Sequence, residues 1–198
     1  MKSSSQRGFT LIELMTSLTV LGILLLLGLP TYKQWIINTR IRTASESIQN
    51  GLRLARNEAV QQASNVRFQL NTASGADWTV CLLGTASATT CPATASSVVQ
   101  SFVGKGGTQG VLVGASSDLS SIPVSGSSSA LSGGLPAGIT FNSLGRPSAY
   151  GSTSLVRIDV TDPQPNSRRL STTISAGGLV NMCDPQIKFT QNSPQGCP

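Results

Sequence analysis

Glu13 is the residue least at home in its surroundings. It stands in QRGFTLIELM, residues 6–15, four positions after Phe9. From Phe9 to Leu29 the chain is otherwise apolar apart from a few threonines and serines. A carboxylate inside a membrane span costs about 2.5–3.5 kcal/mol on insertion scales, so it calls for a cationic partner. Other chemistries find little support. The chain has no histidine, which removes the commonest general base and the commonest metal ligand. Serine or cysteine triads that need histidine are therefore impossible. The eight acidic residues are scattered, so no pair of carboxylates is set up for glycoside hydrolysis. No catalytic residue, metal site or cofactor is expected, and the chain does not read as an enzyme.

Four cysteines fall into two close pairs, Cys81 with Cys91 and Cys183 with Cys197. Neither pair has C-x-x-C spacing, which argues against zinc. Three pairings are open, and short local loops in an exported chain favour the two local disulfides.

The elements that position Glu13 come next. Residues 1–8 are short and polar and carry Lys2 and Arg7. The 21 residues from Phe9 to Leu29 would span about 31 Å as a helix, enough to cross a bilayer core. Basic residues before the span predict that this end stays cytoplasmic. A cleaved signal peptide would have a shorter apolar region ending in small residues. Here the run continues through Leu24-Leu25-Leu26-Leu27 to Leu29 with no such site. A plain single-span anchor fits, but it leaves Glu13 unexplained.

The stretch GFTLIELM resembles the prepilin motif of the type IV pilin and type II secretion pseudopilin superfamily. The resemblance implies that a membrane peptidase cuts between Gly8 and Phe9 and that Phe9 is then N-methylated. It also implies that Glu13 pairs with the new terminal ammonium of a neighbouring subunit during filament assembly. A buried carboxylate becomes tolerable once a charge partner meets it in low dielectric. Cleavage would remove Lys2 and Arg7.

Pro30 ends the apolar run. It would remove the hydrogen bond to the Leu26 carbonyl and kink a continuing helix, or simply mark the membrane exit. Beyond it, Ile41, Ala44, Ile48, Leu52, Ala55, Ala59 and Ala63 recur at threes and fours, predicting an amphipathic helix to about Ala63. Arg40, Arg42, Arg53 and Arg56 read as a solvated helix face. After Asn65 the pattern changes to short β-prone runs: 66–70 and 78–83 as a hairpin, then 98–103, 111–114, 138–141, 155–160 and 168–174. Strands that follow one another by turns predict one antiparallel sheet, its apolar face covered by the helix. The stretches 84–97 and 104–136, the latter with Ser125-Gly126-Ser127-Ser128-Ser129, read as loops. Gly104-Lys105-Gly106-Gly107 lacks the frame of a phosphate-binding loop.

GITFNSLGRP (138–147), RRLSTTISAGGLVNMC (168–183) and LRLARNEAV (52–60) resemble the heads of the pseudopilin H (GspH) and FimT/FimU minor pilin group. The expected fold is therefore α+β: a long N-terminal transmembrane and amphipathic helix packed on an antiparallel β-sheet head, with two disulfides. The expected segments are a cleaved leader (1–8), a transmembrane and polymerisation helix (9–29), an amphipathic helix (30–63) and a periplasmic head (64–198). The implied role is a minor pilin or pseudopilin that initiates or caps a type IV pilus or a type II secretion pseudopilus. Its partners would be other minor pilins or pseudopilins, the major pilin, the prepilin peptidase and methyltransferase, the inner-membrane assembly platform and membrane lipid. It would sit in a bacterial inner membrane, N-terminus cytoplasmic and head periplasmic, or in the filament.

DNA is the rival partner. Some FimT-type minor pilins bind DNA through a basic G-R-x-R motif, whose counterpart here is Gly178, Leu179, Val180 and Asn181, with both arginines replaced. Arg146, Arg157, Arg168, Arg169 and Lys188 lie nearby in sequence and could form another patch. The net charge of +6 allows an anionic partner without requiring one.

Overall fold

A computed structural model describes residues 8–72, 75–84, 88–92, 94–104, 107–119, 138–150, 152, 154–164 and 167–197. Residues 1–7 with Lys2 and Arg7, the Ser125–Ser129 run, Lys105 and Gly106 lie outside the described residues. Close contacts divide the chain into two units, Met1–Ile36 and Ile37–Pro198.

The first unit holds the N-terminal part of helix α1 (Leu11–Gln61). Helical assignment runs unbroken through Pro30. The hydroxyls in the apolar stretch bond back to the helix itself. Thr16 Oγ1 and Ser17 Oγ donate to the Glu13 carbonyl at 3.0 and 2.7 Å, and Thr19 Oγ1 donates to the Thr16 carbonyl at 2.8 Å. Satisfying polar groups within the helix is the condition for a segment that must do without water.

The second unit is built on the rest of α1. Ile41, Ala44, Ile48, Leu52, Ala55 and Ala59 are all completely buried, as their spacing predicted, whereas Ala63, the last of that series, is exposed beyond the helix end. Gly51 belongs to the same face. A Cβ there would lie 2.8 Å from the Phe68 ring and 2.9 Å from the Trp78 ring, so only glycine lets the helix approach these aromatics. The helix closes one turn after Gln61. Ser64 N–H donates to the Ala59 carbonyl (3.2 Å) and Ala63 N–H to the Val60 carbonyl (3.4 Å), while Ala63 takes φ 48°. This double bond with a left-handed residue is the Schellman ending, filled here by alanine rather than the usual glycine.

Among the described residues nine strands follow: β1 (Asn65–Leu70), β2 (Trp78–Leu83), β3 (Val98–Phe102), β4 (Leu112–Ser116), β5 (Gly138–Phe141), β6 (Arg157–Thr161), β7 (Leu170–Ile174), β8 (Val180–Lys188) and β9 (Gly196–Cys197). They form two sheets, where the sequence predicted one. The first has the order β3-β2-β1-β5 and the second β4-β6-β7-β8-β9. All pairs are antiparallel except β8 with β9. The two sheets are linked by backbone bonds, among them Leu155 N–H to the Gly138 carbonyl (3.2 Å) and Gly75 N–H to the Val111 carbonyl (2.9 Å).

Alternation along the strands sorts the faces. Val66, Phe68 and Leu70 of β1 join Val80, Ile139 and Phe141 in the apolar core beside the helix residues. Ile158, Val160, Leu170, Ile174 and Val180 supply the second sheet's share. Trp78 is seated by its Nε1–H donating to Ser47 Oγ (2.9 Å) and by Phe68 and Phe102, with ring centroids 5.8 and 5.9 Å away. The disulfides join Cys81 to Cys91 and Cys183 to Cys197, with Cα atoms 5.8 and 5.0 Å apart. The second ties β9 back to β8. Each local bridge of this size removes about 3 kcal/mol of loop entropy from the unfolded chain in the chain-entropy picture.

Candidate functional site

The N-terminal segment is built from its capping chemistry upward. Gly8, Phe9 and Thr10 precede the helix and are exposed. Thr10 caps it: its carbonyl accepts from Glu13 N–H (3.1 Å) and Leu14 N–H (3.2 Å), and its Oγ1 lies 3.4 Å from Glu13 N. Thr10-Leu11-Ile12-Glu13 has the T-x-x-E spacing of a capping box, which places Glu13 in the first turn, where the helix dipole favours a negative charge. This cap was not read from the sequence, although the spacing of Thr10 to Glu13 was available. The bond between Gly8 and Phe9 therefore lies just outside the helix, with the Phe9 side chain 86% exposed. No cation among the described residues forms an ion pair with Glu13.

The apolar side chains that follow are open as well. Leu11, Ile12, Leu14, Met15, Leu18, Leu21, Leu24, Leu25 and Leu29 are all more than half exposed. The helix has a stretch of mean hydropathy 2.2, long and apolar enough to cross a membrane, and none of that stretch is buried in the protein.

The basic residues of the head are distributed differently from a single patch. Arg157 and Arg169 come together, but on a carboxylate. Arg157 Nε donates to Asp159 Oδ1 (3.0 Å), its Nη1 to the Leu119 carbonyl (2.8 Å) and its Nη2 to Ser171 Oγ (3.0 Å). Arg169 and the Ser171 hydroxyl also bond to Asp159. Arg168 pairs with Asp184 at 3.0 Å. Arg146 lies exposed in the turn closed by Asn142, and Lys188 lies exposed in β8; neither forms an ion pair among the described residues. At the motif positions, Gly178 takes φ 78° and is packed against the Gly145 carbonyl. Leu179 and Asn181 point to solvent, and Val180 is buried.

Arg67 is a separate case. It is 8% exposed on the β1 face away from the helix, and its side-chain partners among the described residues are neutral, Gln69 Oε1 (3.5 Å) and Thr140 Oγ1 (3.3 Å). Burial alone pushes its pKa below the ordinary arginine value. On the α1 and β3 side, a shallow pocket of about 400 Å³ is lined by Ser47, Trp78, Gln100 and Phe102 among others. Its single carboxylate, Glu46, is held by Arg42 at 2.8 Å. Among the described residues no cluster of potential ligands could hold a metal ion.

Two family models match the chain. Residues 3–29 match the prokaryotic N-terminal methylation motif. Residues 44–178 match the family described as type II transport protein GspH. The chain belongs to the GspH family. No curated protein matches it. Among solved structures it is similar to the type IV minor pilin FimU of Pseudomonas aeruginosa strain PAO1, in two crystal forms. In space group P21 the identity is 18%, with 80% of this chain and 95% of that one covered, and the TM-score is 0.43. In space group P65 the identity is again 18%, coverage is 79% and 99%, and the TM-score is 0.40.

As a GspH-family member that also carries the N-terminal methylation motif, the chain is a pilin- or pseudopilin-type subunit. Such subunits are structural rather than enzymatic. They are anchored in a membrane or incorporated into a filament through the N-terminal apolar helix, and they assemble with other pilins.

Proposed function

We propose that this GspH-family chain is a processed minor subunit that initiates or caps its filament. Cleavage between Gly8 and Phe9 creates an ammonium at Phe9, which is then methylated. That ammonium meets Glu13 of a neighbouring subunit as the two dock. The observation that carries this reading is Glu13 itself: a carboxylate in the first turn of α1, at the start of an apolar stretch none of which is buried in the protein, with no cation paired to it among the described residues. In lipid such a group gains from an opposite charge in proportion to the low dielectric around it. The orientation that follows places the N-terminus at the cytoplasmic face of the inner membrane and the head in the periplasm. There the two disulfides are at home. The working partners are the other minor pilins or pseudopilins, the major pilin, the assembly platform and the peptidase–methyltransferase. Pro30 supplies a place where the helix can bend in the filament.

The DNA-uptake reading draws less support from the geometry. Arg157, Arg168 and Arg169, three of its five candidate contacts, are engaged by Asp159 and Asp184. Arg146 and Lys188 remain open.

The proposal is tested by two variants expressed in the native host. Gly8→Ala should accumulate as an uncleaved precursor. Glu13→Ala should be cleaved normally yet be missing from sheared filament or pseudopilus fractions. Undiminished incorporation of the Glu13 variant would remove the charge-pairing step.

A further inference from the structure

Just beyond the last leucine of the apolar run, two aromatic rings stand together. Tyr32 and Trp35 are one helical turn apart, 58% and 62% exposed, with ring centroids 6.0 Å apart and planes 25° from parallel. Exposed Lys33 lies between them in sequence. The chain's other tryptophan, Trp78, is 3% exposed in the core of the head. Large rings so open to solvent are unfavourable in water, and this pair has a chemistry that suits one environment. Tryptophan and tyrosine prefer the glycerol and head-group zone, where the ring is half in hydrocarbon and its N–H or O–H reaches polar groups. A lysine beside them carries its charge outward to lipid phosphates.

The spacing agrees. At about 1.5 Å per residue, Tyr32 lies about 4–5 Å beyond Leu29 along the helix, inside a head-group layer about 5–8 Å thick, and Trp35 about 9 Å beyond it, at the layer's outer edge. We propose that Tyr32, Lys33 and Trp35 form an interfacial clasp that binds the phospholipid head-group zone and fixes the depth of the helix in the membrane. This rests on the membrane-inserted reading given above. The clasp has a consequence at the other end. With Leu29 held at one edge of a hydrocarbon core about 30 Å thick, Glu13 lies about 24 Å inward, and Phe9 reaches the opposite edge. The clasp thus sets the carboxylate inside the apolar layer, where its pairing is strongest, while the terminus stays within reach of the aqueous side.

The test uses the full chain in vesicles of phosphatidylethanolamine and phosphatidylglycerol carrying lipids brominated at either shallow or deep acyl positions. Trp35 emission is obtained as the difference between the unaltered chain and Trp35→Phe. Quenching by the shallow bromines should exceed that by the deep ones by about twofold, as expected for an interfacial indole. Stronger quenching by the deep bromines would place Trp35 in the hydrocarbon and overturn the clasp. Absence of quenching at both depths, with the protein still resistant to alkaline carbonate, would place the ring clear of lipid and also overturn it. Release of the protein by carbonate would instead defeat the membrane-inserted reading on which the clasp rests.

Discussion

Replacing Asp159 by asparagine should be among the most damaging single changes in the head. The substitution keeps the side chain's shape and removes its charge. The Asp159 side chain is fully buried, and those of Arg157 and Arg169 are 4% and 15% exposed. Asp159→Asn therefore removes the buried carboxylate that Arg157 and Arg169 share. Breaking a buried pair from one side costs about 3–5 kcal/mol, because an uncompensated charge remains. Against the roughly 5–15 kcal/mol that holds a domain folded, this is a large fraction. For a head of this size, melting should fall by about 10 °C, at about 2–4 °C per kcal/mol. The assay is chemical and thermal denaturation of residues 37–198, followed by circular dichroism. Because the pair is buried, the loss should persist in about 1 M salt, where surface pairs are screened. Adding Arg157→Met should restore more than about 1 kcal/mol relative to additivity, since it removes the more deeply buried of the two cations that share the carboxylate. A loss below about 1 kcal/mol for Asp159→Asn, or strict additivity in the double variant, would refute the reasoning.

Other predictions are independent of that network. Ala63→Gly should raise stability by up to about 1 kcal/mol, because Ala63 holds φ 48° in a helix ending that favours glycine; a lowered melting temperature would contradict this. Cys183→Ser with Cys197→Ser should free β9 from β8, seen as early proteolysis near the C-terminus and a stability loss of about 2–4 kcal/mol by denaturant titration. Leu179→Arg with Asn181→Arg puts two cations on exposed positions, just before and at the start of β8, and gel shifts of the head should then show DNA binding whose salt slope steepens by about two units relative to the unaltered head. No gain in binding would show that these positions do not lie on a DNA-facing surface.

Much of the architecture was legible because it rests on periodicity. The buried helix face from Ile41 to Ala59 and the β1–β2 hairpin follow directly from spacings of three and four and from alternation. The division into two sheets was not legible. It depends on which strand ends bond across the join, as at Leu155 and Gly138, and short apolar runs carry no signal for that. Strand β8 was concealed by Pro185. The residue cannot donate to a ladder, and it sits where the β8–β9 pairing shifts register between Asp184 and Lys188. The N-terminal segment was readable in Gly8, Phe9 and Glu13, whereas the cap at Thr10 and the aromatic pair at Tyr32 and Trp35 were not noticed. Among the basic residues, sequence proximity misled. Arg168 and Arg169 are adjacent, yet alternation turns them to different aspartates, and those partners lie 10 to 16 residues away along the chain.

The central claim is that a new N-terminus is made at Phe9 so that its ammonium can meet Glu13. Intact-mass and N-terminal peptide measurement on protein purified from membranes or filaments of the native host tests it most directly. A chain beginning at Phe9 and carrying one added methyl group is the predicted result. A chain that retains Met1, or one that begins beyond Leu29 as a free soluble head, would contradict it.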